Sequence, residues 1–283
     1  YLVIDPQPNY LQKFKDENKN IKNLKLGFLR YCVSEKNIKK KFYLNSDLTT
    51  SSYFKSNQKL LDLIRDDNFF ENRKILNIKT YKLDRVLNIR SIKNLDLITL
   101  CTQGSELDIL KGSGKILQNI SLIRVHKDWE QKYKNEPLIG DLIQFLNSRG
   151  FKLLDIKPAN KWFDKNITSD ILFLNKKILS NKNKDNSLSK TISILISLGK
   201  ITDVLVLSKT SDLSSNFIKD QIKNYSFLYN SIIKYYPYSK LILYFSNSIF
   251  LILRILGIKK NIPSFFALFK FLKENKSNDK RRK

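Results

Sequence analysis

The chain has 283 residues, a formal net charge of +26, two Cys and no Met. Hydrophobic residues make up 42% and aromatics 12%, which excludes a disordered polymer and supplies core for one large domain or two ordinary ones. Lys outnumbers Arg by 42 to 10 and Asn and Ile are abundant, so the charge reads first as solvated Lys on exposed faces rather than as an Arg-based nucleic-acid reader.

The charge is uneven. Residues 1–175 carry 31 basic and 20 acidic side chains, net +11; residues 176–283 carry 21 and 6, net +15. A surface-binding role would therefore fall in the C-terminal part. Cys32 and Cys101 give neither a disulfide framework nor a metal spacing, so no metal is expected and a reducing, cytoplasmic setting is the default. With no Met and an apolar run at Tyr1, the natural start is expected to lie upstream.

In chain order, Tyr1 to Ile4 is an apolar run closed by Asp5-Pro6-Gln7-Pro8. A helix follows through Tyr10, Leu11, Phe14 and Asn18. Strands are expected over 25–31 and 41–44, a polar loop over 46–52, and a strand over 73–83 ending at Leu83-Asp84. The segment 96–112, DLITLCTQGSELDILKG, is the most informative. An apolar strand over 95–100 runs into the turn Thr102-Gln103-Gly104-Ser105, and a helical pattern over 105–118 follows at once. A strand over 120–126, a helix from Leu138 to Arg149 stopped by Gly150, and strands over 151–156 and 170–175 complete the region. Strands alternating with helices predict an α/β, Rossmann-like, doubly wound and mostly parallel sheet, with ligands past the carboxyl ends of its strands.

This domain is expected over 1–178, followed by a linker over 179–189 that includes the polar run SNKNKDNSLS. A helical C-terminal region is expected over 190–274, with apolar periodicity over 188–208, 213–236, 240–258 and 263–274. A disordered basic tail over 275–283 would close the chain. Leu241 to Ile258 is interrupted by Ser246, Asn247, Ser248 and Arg254, so a packing helix is favoured over a span. Flanking Lys keeps open a peripheral contact with an anionic membrane through 240–260.

Several motifs in order resemble the core of FkbM-type S-adenosylmethionine-dependent methyltransferases. They are Leu83-Asp84, Cys101-Thr102-Gln103-Gly104-Ser105-Glu106, Leu110-Lys111-Gly112, Trp129, Tyr133 and Pro137, then Phe145-Leu146, Gly150-Phe151 and Asp170 to Asn175. Upstream, Ile4-Asp5-Pro6-Gln7-Pro8 is similar to the family's acidic-Pro-x-Pro. The resemblance covers roughly 1–176. It implies S-adenosyl-L-methionine as cofactor and methyl transfer to an oxygen of a glycan or small metabolite. Cofactor contacts would be Asp5, Ser34, Gln103 and Gly104; acceptor-side or catalytic residues would be His126, Glu106 and Asp84.

Each of these also has a plain structural reading. Asp5 could accept ribose hydroxyls or cap the helix near Pro8. Gln103 and Gly104 could let backbone approach a ligand or simply make a strand-to-helix turn. Glu106 and Asp84 could be helix caps, and His126, the sole His, a satisfied structural residue. Thr99 and Cys101 stand where the family carries Lys and Asp, and His126 where it carries Glu. This leaves open a non-catalytic protein of the same fold that binds a glycan or partner protein, and a basic peripheral membrane protein. The family's first strand and Gly-rich loop would lie upstream of Tyr1. Either the chain is a fragment or its sheet has closed over the gap.

Overall fold

A computed structural model describes residues 1–21, 24–63, 67–162, 165–178, 185–200, 203–204 and 206–207. The chain divides into two compact units, Tyr1–Lys176 and Lys177–Lys283.

The first unit opens with β1 (Leu2–Ile4) and α1 (Pro8–Asn18), with Pro8 in the first turn, where a missing N–H costs nothing. β2 (Gly27–Leu29) pairs parallel to β1. β3 (Cys32–Val33), β4 (Lys39–Asn45) and, after the short α2 (Gln58–Leu63), β5 (Asn72–Tyr81) build a second sheet in the order β3-β5-β4. α3 (Leu83–Asn88) leads to β6 (Leu95–Leu100). α4 (Glu106–Lys111), β7 (Ile120–Asp128), α5 (Ile139–Ser148), β8 (Phe151–Trp162) and β9 (Lys165–Asn175) follow. The third sheet has the order β6-β7-β9-β8.

The fold is thus mixed α/β; its sheets are mixed in sense, so the expected doubly wound, mostly parallel sheet is not confirmed. β1–β2, β3–β5 and β6–β7 are parallel, whereas β4–β5, β7–β9 and β8–β9 are antiparallel. For β8 and β9, which follow one another in the chain, antiparallel pairing needs no crossover helix. Their pairing extends both strands beyond the expected 151–156 and 170–175. β1 and β6 do not pair, so the parallel pairs have not closed into one sheet.

The core lies on the β6–β7–β9–β8 sheet. Ile120, Ile123, Val125, Ile171 and Phe173 are fully buried against Leu107, Leu110, Leu142 and Leu146 from α4 and α5. Leu2 and Ile4 of β1 pack on the same cluster. Burying one such side chain contributes roughly 1.5–3 kcal/mol.

The helix expected over 105–118 is broken into α4 and a 3-10 segment, Gly114–Asn119. Packing imposes the break. A Cβ at Gly112 would lie 2.3 Å from the Ser34 carbonyl oxygen, and one at Gly114, whose φ is +54°, would lie 2.6 Å from Asp84 Oδ2.

In the second unit, α6 spans Asp185–Ser197. The expected linker therefore ends in helix from Asp185 onward; residues 179–184 lie outside the described residues. So do 213–236, 240–258, 263–274 and the basic tail. Among the described residues, no helix is long and apolar enough to cross a membrane.

Candidate active site

The turn after β6 is held by one carboxylate. Glu106 Oε1 accepts from the Thr102 amide at 2.8 Å, the Thr102 hydroxyl at 3.2 Å and the Gly104 amide at 3.3 Å. Gln103 and Gly104 are both left-handed, at φ +54° and +95°. Such a turn persists only where its surroundings fix it. Ser52 Oγ donates to the Gln103 carbonyl at 2.6 Å, and the Tyr133 hydroxyl lies 2.9 Å from Gln103 Oε1 and 2.7 Å from the Thr50 carbonyl. A Cβ at Gly104 would press on Glu136 and Phe54 at 3.0–3.3 Å. Gly is therefore needed here for both φ and space.

Beneath the turn is a buried ionic cluster. Lys127 Nζ lies 3.2 Å from Glu106 Oε2 and 2.7 Å from Glu136 Oε2, with all three side chains almost fully buried. Glu136 Oε1 accepts the Tyr133 amide. Burial pushes the Glu136 carboxyl up to about 7 despite Lys127 beside it. Burial alone would lower Lys127, but Glu106 and Glu136 outweigh it and hold the ammonium above its ordinary range. Burial also raises Asp128, which Lys132 partly offsets from 3.1 Å.

A cavity of about 190 Å³ opens above the cluster, lined by Thr50, Phe69, Phe70, Cys101, Gln103, Glu106, His126, Asp128 and Lys132. His126 is half-buried. Its Nδ1 is 3.0 Å from Asp170 Oδ1, and Arg124 Nη2 is 2.8 Å from Asp170 Oδ2. Burial would raise Asp170, but these two hydrogen bonds hold its carboxyl below the usual range. With Nδ1 engaged, Nε2 is the ring nitrogen with no hydrogen-bond partner among the described residues. Desolvation, then Glu106, Asp128 and Asp170, push the Cys101 thiol up to about 11.

The nominated residues fall into two groups. His126, Glu106 and Gln103 line the cavity, and Gly104 forms the adjoining turn. Asp5, at the carboxyl end of β1, is half-buried; its Oδ1 accepts the Gln7 amide at 2.7 Å, and burial raises its pKa. Burial, and then the Asp5 carboxylate, raise the phenol of Tyr10.

Ser34 and Asp84 are elsewhere. Ser34 is buried in a network with Lys40, Tyr53 and Asp108, and Asp84 packs on Gly114. The Ser34 carbonyl faces Gly112 after α4, while its hydroxyl joins Tyr53 and Lys40, which both reach Asp108 in the first turn of that helix. Sequence reasoning missed Lys127 and Glu136 as site-building charges. Lys127 had a signal, a Lys-Asp pair one residue past the apolar run ending at Val125; Glu136 had none of that kind.

The donor set fits a nucleoside cofactor in one respect. Asp5 keeps Oδ2 clear of protein donors among the described residues, at a strand end where ribose hydroxyls could be accepted. No curated protein and no solved structure matches the chain. The sequence model of the methyltransferase FkbM domain matches residues 1–153, more than half of its length. With its turn, its acidic strand end and this match, the chain belongs to the FkbM methyltransferase family.

Proposed function

We propose that the protein is an S-adenosylmethionine-dependent O-methyltransferase acting on a glycan or a small hydroxylated metabolite. One observation carries this reading: the left-handed Gln103-Gly104 turn adjoins a cavity lined by His126, whose Nδ1 pairs with Asp170. Asp5 would accept the ribose hydroxyls. The rigid Gln103-Gly104 backbone would bound the nucleoside. When bound, the cofactor supplies an electrophilic methyl carbon. His126 Nε2 takes the proton of the acceptor hydroxyl, and Asp170 fixes the ring and stabilises the imidazolium. The buried cluster keeps the turn immobile, so the chain contributes mainly in-line positioning. Isothermal titration of S-adenosylhomocysteine against the full-length protein tests this; no heat removes the reading.

A second reading keeps the fold without turnover and binds a glycan or partner protein. It is favoured by Cys101, a neutral thiol where the resemblance expects a carboxylate. Under it, Cys101→Asp stays inactive; a gain of turnover points instead to a decayed enzyme.

A further inference from the structure

Hydrogen-bond accounting fixes which way the Gln103 amide points. The Tyr133 hydroxyl has one proton, and burial with the carboxylates around it holds the phenol well above its ordinary range, so the proton stays on. The oxygen lies 2.7 Å from the Thr50 carbonyl and 2.9 Å from the Gln103 amide. A carbonyl only accepts, so the proton goes to Thr50. The Gln103 atom facing Tyr133 must then donate. A half-turn of the amide, which leaves its shape unchanged, puts Nε2 toward the phenol and Oε1 toward the cavity that Gln103 lines.

Two further acceptors line that cavity. Asp170 is held as a carboxylate and only accepts, so His126 Nδ1 carries the ring proton and Nε2 accepts. Asp128, 7% exposed, meets Lys132 Nζ through Oδ1 at 3.1 Å and keeps Oδ2 clear of protein donors among the described residues. His126 and Asp128 alternate onto one face of β7. Donors are scarce by contrast. The Thr50 hydroxyl is committed to the Asp47 and Phe69 carbonyls, both 2.8 Å away. Lys132 is held by Asp128, and the Cys101 thiol is a weak donor. Glu106 is engaged by the turn and by Lys127.

Charge narrows the ligand from both sides. Burial, then Glu106, Asp128 and Asp170, push the Cys101 thiol up, so this wall disfavours a further anion. The Asp128 charge is already balanced by Lys132, so a cation gains little there. What remains is a neutral ligand that donates several hydrogen bonds. Phe69 and Phe70 give it an apolar wall, against which the C–H face of a ring can lie.

We infer that the cavity takes a neutral polyol through adjacent hydroxyls, one donating to His126 Nε2 and its neighbour to Asp128 Oδ2 or Gln103 Oε1. The terminal sugar of an uncharged glycan has this chemistry. The inference rests on the methyltransferase reading and narrows its acceptor to an uncharged vicinal diol, with Asp128 and Gln103 as the residues that select it.

The test is saturation-transfer NMR on the full chain, with and without S-adenosylhomocysteine. The probes are methyl glucopyranoside, methyl glucuronopyranoside and methyl glucosaminide, together with a vicinal cyclohexanediol and cyclohexanol. The neutral pyranoside should bind about tenfold more tightly than either charged analogue, and the diol about tenfold more tightly than the mono-alcohol, as one hydrogen bond to a charged group would give. Asp128→Asn leaves Lys132 uncompensated and should shift the preference to the uronide. Lys132→Gln leaves Asp128 uncompensated and should shift it to the amino sugar. Gln103→Asn, one carbon shorter and tolerant of a left-handed backbone, should weaken the pyranoside several-fold. Melting curves followed by circular dichroism show which variants fold; if one charge variant does not, the shift in the other decides. Tighter binding of a charged sugar by the parent, equal binding of diol and mono-alcohol, no signal from pyranoside and diol, or an unchanged ranking in the folded variants overturns the inference. If S-adenosylhomocysteine binds and the neutral probes do not, the polyol inference fails and the methyltransferase reading stands. If the probes rank as expected and S-adenosylhomocysteine does not bind, the methyltransferase reading fails and the polyol cavity stands.

Discussion

Lys127 Nζ sits 2.7 Å from Glu136 Oε2 with both side chains buried, and the same ammonium reaches Glu106 at 3.2 Å. One cation thus balances two carboxylates that hold opposite walls of the site. Glu106 ties the Thr102–Gly104 turn, and Glu136 ties the Tyr133 segment. Removing the cation while keeping its shape should be severe. Lys127→Met is expected to lose roughly 3–5 kcal/mol in chemical denaturation, because two buried carboxylates lose their counter-charge. Adding Glu106→Gln and Glu136→Gln to Lys127→Met should recover much of that loss. A Lys127→Met protein as stable as the parent would show that the cluster contributes nothing.

The Glu136 carboxyl, pushed up to about 7 by burial, makes stability depend on pH. Its folded pKa exceeds the ordinary 4.5, so the folded state holds the proton more tightly than the unfolded one. Its contribution is complete below about 4.5 and is lost as pH rises through 7. Asp170 has the opposite sign. Its pKa is lowered, so its contribution holds above the ordinary value of 3.8 and is lost as pH falls through the folded value. Thermal melts from pH 4.5 to 7.5 should show a decline that Glu136→Gln flattens; an unchanged slope in that variant assigns the decline to another group.

Gly104→Ala combines a left-handed φ with three neighbours at 3.0–3.3 Å. The strain is expected to cost roughly 1–3 kcal/mol and to weaken S-adenosylhomocysteine binding, since the displaced turn bounds the proposed nucleoside site. Differential scanning calorimetry and titration read both effects. Wild-type affinity in a destabilised variant would place the ligand away from the turn.

His126→Gln should lower kcat by about 10²- to 10⁴-fold while leaving S-adenosylhomocysteine affinity unchanged, as removal of a general base would. Asp170→Asn should give a smaller fall in kcat, because the ring stays in place but its imidazolium loses the carboxylate. A change confined to KM would make His126 a binding group.

The two thiols should be slow nucleophiles. Cys101, raised to about 11, is accessible, yet its thiolate is scarce at neutral pH. Cys32, raised to about 12, is also buried. Mass spectrometry after iodoacetamide treatment at pH 7.5 should find Cys101 alkylated about 100-fold more slowly than a free cysteine of pKa near 8.5, and Cys32 unmodified. Fast labelling of Cys101 would mean that burial and the surrounding carboxylates do not hold its thiol up.

Local pattern made much of the frame legible. Pro8 placed the start of α1, the apolar run over 95–100 gave β6 from Leu95 to Leu100, and Gly150 marked the end of α5. The Gln103-Gly104 turn could be read because a strand ending in polar residues before a helical period has few other conformations. Sheet sense was not legible. Short apolar runs fit either sense, and the pairing registers of β4–β5, β7–β9 and β8–β9 decide between them.

By itself, the order of residues determined the family and the presence of a turn able to sit beside a ligand. Tertiary structure decided which polar residues share it. Ser34 and Asp84 pack where Gly112 and Gly114 carry no side chain, while Lys127, Glu136 and Asp170 arrive from strands and loops 21–64 residues from Glu106. Charge pairing acts through space, over a few ångströms in a water-poor interior, and so leaves no fixed spacing along the chain.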